Sequence, residues 1–210
     1  MKDIVILGAN GFAKDVLWLL EELNEEHREW NILGFIDAVP GEEPVPGYGI
    51  LGNDDWLLQY PHPVNVACGL GSPSLRKNVI KKYQGYQISF PNLISGRATV
   101  SKHIRIGEGC IICPGVLIAP NVILGNFVSL NLGCTLGHDA ELEHFIMVNP
   151  GAHISGNVLV GAGSEIGTGA CIIQGKRLGP ETVVGAGTVI IRDIPGHCTV
   201  VGNPGRILER

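Results

Sequence analysis

The sequence predicts a small Rossmann-like α/β domain over residues 1–90, followed by a parallel β-helix over residues 91–210. Three observations lead there. Strand and helix signals alternate through the first ninety residues. An aliphatic residue then recurs at every sixth position from Val100 to Ile190 without a slip. Glycine, at 30 of 210 residues, is about twice its usual share of roughly 7%, which calls for many turns or a repeat.

In the first part, the apolar run 3–7 ends at Gly8 and reads as a strand. Val16, Leu19, Leu20 and Leu23 follow at helical spacing. Residues 31–37 (NILGFID) read as a second strand and 64–68 (VNVAC) as a third, ending at Gly69. Ser72-Pro73 is a helix start, with a capping hydroxyl before proline in the first turn. Residues 76–83 continue that helix, and Gly85 stops it. Strand, helix, strand order implies a parallel sheet with crossover helices.

From about Ile94 the period changes to six. Val100, Ile106, Ile112, Ile118 and Leu124 begin a series that runs on to Ile190, and small or β-branched residues such as Cys110, Val116 and Cys134 favour the position four later. Each hexapeptide is a short strand plus a bend. Three close a triangular coil of about 18 residues with the aliphatic side chain inside, and coils stack about 4.8 Å apart through backbone hydrogen bonds. No loop interrupts the repeat, so an active site has to lie on the prism surface or between subunits.

Composition excludes other classes. A net charge of −5 and an isoelectric point near 5.8 argue against nucleic acid as a partner. No apolar run reaches the roughly 18 residues of a membrane span. The N-terminus reads as a strand and a glycine turn rather than a secretion signal, so a cytoplasmic location is expected. The six cysteines are scattered. Cys110 and Cys113 form a lone CxxC whose first member falls on an inward position of the repeat, so neither a metal nor a disulfide frame is expected.

The hexapeptide run, Ile194-Pro195-Gly196 and the tail Val201-Gly202-Asn203-Pro204 resemble the hexapeptide-repeat acyltransferases. With the N-terminal glycine turn, nearly the whole chain is similar to the sugar acetyltransferases related to sialic acid O-acetyltransferase and to the bacillosamine and perosamine N-acetyltransferases. The resemblance implies a left-handed β-helix, a homotrimer, and acetyl-coenzyme A (acetyl-CoA) as co-substrate, bound in a cleft between adjacent prisms. It implies a nucleotide-linked amino sugar as acceptor.

His138 and Asp139 match the family's catalytic histidine and the acidic residue after it. Acetyl transfer to an amine needs a base, because a sugar ammonium must lose a proton before it attacks a thioester. Histidine titrates near working pH, and a neighbouring carboxylate fixes its tautomer. With an 18-residue coil, His138 lies beside Pro120 and Gly156, and Asp139 beside Asn121 and Asn157. Asn131 and Asn149 form a second pair, read either as functional or as a structural ladder. Gly156, Gly167, Thr168, Gly185 and Ala186 match positions that hold the acetyl donor, and Arg206 is the candidate for its 3′-phosphate. In the N-terminal domain the matching acceptor positions are Gly8, Asn10, Gly11, Lys14, Asp37 and Gly69. The turn is not GxGxxG, because Asn10 and Ala13 replace the later glycines, so no dinucleotide is expected.

Two positions depart from the family pattern. Phe12 and Met147 stand where histidines are common, and neither can supply a histidine's hydrogen bonds. His144 and His153 lie at other phases of the coil. The alternatives are a sugar O-acetyltransferase, or a nucleotide-sugar-binding protein without catalysis. A zinc hydratase of β-helical type needs gathered histidines, and no two histidines here are 18 residues apart.

Overall fold

A computed structural model describes residues 1–39 and 44–208. The α/β part holds β1 (Lys2–Leu7), α1 (Gly11–Glu26), β2 (Trp30–Ile36), β3 (Ile50–Gly52), α2 (Asp54–Gln59), β4 (Val64–Cys68), α3 (Pro73–Lys82) and β5 (Ile88–Ser89). The strands form one parallel sheet in the order β3-β2-β1-β4-β5. β1, β2 and β4 and the helices after β1 and β4 follow the sequence reading. β3, α2 and β5 were not foreseen, since three and two residues are too short to show a period. Ser72 caps α3, its hydroxyl accepting from Leu75 N–H at 3.4 Å, with Pro73 in the first turn.

The rest of the chain is a left-handed parallel β-helix with three sheets. Each sheet is named here by one strand: the Thr135 face, the Glu141 face and the Ser129 face. Pairing confirms the 18-residue coil, because Leu117 lies against Thr135, Thr135 against His153, and Glu141 against Leu159. The last coil is shorter, with Val183 against Thr199. A short antiparallel pair, Thr199–Val201 with Arg206–Ile207, follows it. The aliphatic positions and the small residues between them make one core, with Ile112, Leu130, Leu142 and Val160 fully buried. Cys110 is in that core, as the repeat predicts, whereas Cys113 faces the cluster around α1.

From Gly109 to Gly187 the coils turn at their corners through the left-handed backbone region, at the third residue after each aliphatic. One corner is all glycine, including Gly133 (φ 65°) and Gly169 (φ 65°). The corner after the Thr135 face holds Asn121 (φ 64°), Asp139 (φ 59°) and Asn157 (φ 57°). The corner after the Glu141 face holds Phe127 (φ 56°) and Phe145 (φ 58°). Asparagine and aspartate tolerate this conformation; phenylalanine does so at a cost of about 1–2 kcal/mol. The two rings stack with centroids 5.2 Å apart and 6° between planes, and Phe90 meets Phe127 edge-on at 5.2 Å. Burial and stacking offset the strain.

Those rings belong to the seam between the two parts. Arg76 of α3, only 1% exposed, crosses it. Its Nε and one Nη donate to Leu70 O at 3.1 and 2.8 Å, and the other Nη donates to Phe127 O at 2.7 Å. At the far end of the seam, Glu22 of α1 accepts from Ser95 Oγ and from Arg97, whose Nε lies 2.8 Å away. Met147 is buried against Arg76, Nη to Sδ 3.8 Å, and Phe12, in the first turn of α1, is half-buried against the core of the α/β part.

Arg76→Ala is expected to lower the unfolding free energy by about 3 kcal/mol, because it strands the carbonyls of Leu70 and Phe127 in a buried seam. Urea unfolding followed by tryptophan fluorescence and by far-UV circular dichroism measures the loss. An unchanged midpoint would remove Arg76 from the seam's stability.

Candidate active site

His138 sits on the turn that leaves the Thr135 face, two residues beyond buried Leu136, so the coil fixes its backbone while its side chain stays 55% exposed. Asp139 occupies the left-handed corner position next to it. That backbone folds the carboxylate back on the preceding ring, and His138 Nδ1 lies 2.7 Å from Asp139 Oδ2. The second oxygen, Oδ1, accepts from Asn121 Nδ2 at 3.1 Å. The hydrogen bond from His138, then that from Asn121, hold the Asp139 carboxyl below the usual carboxylate range. Asp139 is therefore an anion at neutral pH and can only accept. In the neutral ring Nδ1 of His138 therefore carries the proton, and Nε2 keeps its lone pair.

Gly156 lies beneath the ring, as the coil spacing predicts. A Cβ there would stand 2.7 Å from both Nε2 and Cε1 of His138. Gly137 is equally constrained, since its Cβ would come within 2.3 Å of Gly156 N. The Thr135 face beside the histidine carries a shallow groove of about 430 Å³ lined by Leu117, Ala119, Thr135, Gly137 and Ser155, among others. His153 is on the same face but is engaged with Thr135 Oγ1 at 2.9 Å. His144 lies on another corner, where its Nδ1 accepts from Asn126 N–H at 2.9 Å.

Gly167, Thr168, Gly185 and Ala186 are on the glycine corner that precedes the Thr135 face, not on the corner of His138. The two rows bound opposite edges of one face. A Cβ at Gly167 would meet Val184 O at 2.6 Å, and one at Gly185 would meet Val201 Cγ1 at 2.8 Å, so both glycines are also needed for coil stacking. Thr168, Ala186 and Arg206 are exposed. Asn131 and Asn149 do not form a ladder: Asn131 Oδ1 accepts from Leu132 N–H at 2.7 Å, and Asn149 Nδ2 donates to Glu165 at 3.1 Å.

At the carboxyl edge of the α/β sheet, Gly8, Asn10 and Asp37 line a cavity of about 280 Å³ with Leu70, Leu75, Val79 and Lys82. Gly8 has φ 84°, and Asn10 makes no side-chain cap, so the first turn of α1 opens without one. Asp37 Oδ2 accepts from Ala9 N–H at 3.0 Å and occupies one amide of the glycine turn. Gly11 and Lys14 are exposed on α1 outside the cavity lining. Gly69 is buried under α1, where a Cβ would be 2.7 Å from Ala13 Cα. Sequence reasoning missed the Arg76 seam and the bond from Asn121 to Asp139; only the stacking arithmetic, which put Asn121 beside Asp139, pointed towards the latter. Among the described residues, no group of three or more His, Cys, Asp or Glu could hold a metal ion, and no helix is long and apolar enough to cross a membrane.

Residues 3–83 match the family model of the PglD N-terminal domain. The acetyltransferase domain of PglB from Neisseria gonorrhoeae superposes with a TM-score of 0.90 at 32% identity, over 99% of this chain and 100% of that one. A mutant of perosamine N-acetyltransferase from Caulobacter crescentus, solved with CoA and GDP-perosamine, gives 0.92 at 29% identity, over 100% and 98%. The GDP-perosamine N-acetyltransferase of Escherichia coli O157:H7 is 27% identical over 98% of this chain and 96% of its own length. Full-length likeness in both sequence and fold leads to one conclusion: the chain belongs to the CoA-dependent hexapeptide-repeat acyltransferases related to the perosamine and bacillosamine N-acetyltransferases.

Proposed function

We propose that this protein transfers the acetyl group of acetyl-CoA to the amino group of a nucleotide-linked amino sugar, with His138 as general base. One observation carries the reading: His138 Nδ1 is locked on Asp139 at 2.7 Å, which leaves Nε2 as a free base over a glycine and open to solvent. In the reaction Nε2 takes a proton from the sugar ammonium, and the amine nitrogen bonds to the thioester carbonyl carbon. The carbon–sulfur bond then breaks, the leaving coenzyme thiolate takes the second proton of the nitrogen, and the imidazolium releases its proton to water. Asp139 stabilises the imidazolium formed on the way.

The acceptor class is supported by the relatives solved with GDP-perosamine and by the cavity at Gly8, Asn10 and Asp37. The uncapped start of α1 suits a phosphate there, and Asp37 suits a hydroxyl or an N–H group. Acetyl-CoA as donor is supported by the PglB domain solved with it. Gly156, Gly167, Thr168, Gly185, Ala186 and Arg206 are its proposed contacts. They lie on two edges of one face, so His138 and the Gly167–Ala186 row meet only if one protomer's edge faces its neighbour's. That supports a homotrimer with the site between subunits. Exposed Leu117, Ile173 and Ile191 on the Thr135 face fit burial there.

Incubation with acetyl-CoA and a panel of GDP-, UDP- and dTDP-linked amino sugars, with hydroxyl analogues, read by mass spectrometry, tests the activity. Acetylation of an amino sugar is expected; acetylation only of a hydroxyl, or none, overturns the reading. His138→Ala should lower turnover by roughly 10²–10⁴ and leave the fold intact, and Asp139→Asn should cost less. Gly156→Ala should lower kcat/KM by about 10- to 100-fold by pushing the ring aside. Light scattering should give three times the chain mass; a fully active monomer would refute the shared site.

A further inference from the structure

We propose that Asn121 is a positioning residue for acetyl transfer: its amide holds the Asp139 carboxylate in the direction from which it grips His138. The inference rests on His138 being the base. Asn121 lies one coil before Asp139 on the same corner. The two carboxylate oxygens are divided between two donors, Oδ2 facing His138 Nδ1 at 2.7 Å and Oδ1 taking Asn121 Nδ2 at 3.1 Å. Both Asn121 and Asp139 are anchored through the backbone. Asn121 N–H donates to His103 O at 2.6 Å, and Asp139 N–H donates to Pro120 O at 3.1 Å. The donor and the carboxylate are thus held one coil apart by the ladder itself. Asp139 is exposed, so water reaches its carboxylate. Without Asn121, its carboxylate can rotate towards water and release the ring. The amide also withholds any competing proton transfer, because it neither gains nor loses a proton at working pH.

The corner needs a left-handed residue, but it does not need an amide. Gly175 fills the same corner three coils later with φ 73°. Asn121→Gly therefore keeps the backbone and removes only the side-chain donor. Asn121→Asp keeps the shape and the backbone preference but turns a carboxylate oxygen on Asp139, and it carries the test if the glycine variant is unstable.

The decisive experiment is a double-mutant cycle between Asn121→Gly and Asp139→Ala, with acetyl-CoA and the acceptor that responds best in the panel. Asn121→Gly should lower kcat by about 3- to 10-fold, the worth of one ordinary solvent-exposed hydrogen bond, with little change in KM for acetyl-CoA. In the Asp139→Ala background it should have no further effect. On the free protein, carbon-13 NMR should show the Asp139 carboxyl titrating at higher pH in Asn121→Gly, a change that a merely structural corner would not produce. Equal losses with and without the Asp139 carboxylate, or an unchanged kcat and carboxyl titration, overturn the proposal and leave the assignment of His138 standing. Near-normal turnover by a folded His138→Ala protein overturns both.

Discussion

From Gly109 to Gly187 the coils of the prism lie flat on one another because their three corners turn through the left-handed backbone region at the same phase. That constraint underlies the rest of the molecule. It sets the 18-residue register seen in every pair of stacked strands from Leu93 against Ile111 to Cys171 against Val189. It keeps one aliphatic residue per hexapeptide pointing inward, so the core is a column of stacked Ile, Leu and Val rather than a layer between sheets. It also decides what each corner can carry. Glycine leaves an open edge; asparagine and aspartate bring polar groups to the surface at a fixed spacing; phenylalanine projects a large ring outward at the expense of strain.

The three corners have diverged in use. The phenylalanine corner meets the α/β part, and its stacked rings, with Arg76 bonded to the carbonyls of Leu70 and Phe127, weld sheet to prism. An arginine buried without an ion pair among the described residues is expensive, and burial pushes its pKa down. The carbonyls of Leu70 and Phe127, which take its N–H groups, are what make it tolerable here. Arg76 also binds the loop that contributes Leu70 to the cavity beside Gly8 and Asp37, so the seam and that cavity share a wall.

The polar corner carries the proposed base. In a helix or a loop, a histidine followed directly by an aspartate rarely bonds to it, because successive side chains point apart. At Asp139 the left-handed backbone turns the carboxylate back on the ring of His138. The histidine needs no pocket of its own: the coil before it supplies Asn121 through Asp139, and the coil after it supplies the space over Gly156. A site built this way is open to solvent on a single chain.

How much of this was legible depended on whether the signal was periodic. The six-residue aliphatic repeat determined the β-helix, its coil length and the neighbours of His138, because stacking maps sequence separation directly onto space. Gly156 beneath the ring and Asn121 beside Asp139 follow from adding or subtracting eighteen. β1, α1, β2, β4 and α3 showed as runs long enough to reveal a period; β3 and β5 did not, and they join the sheet because its edges still offer unpaired backbone groups. That the Gly167–Ala186 row and His138 stand on different edges of one face follows from the same arithmetic, but each had been placed by resemblance rather than by corner, and the tertiary structure made the separation plain. Only it showed Met147 and Arg76 buried together. Arginine and methionine at single positions carry no period, and what buries them is the packing of one part of the chain on the other.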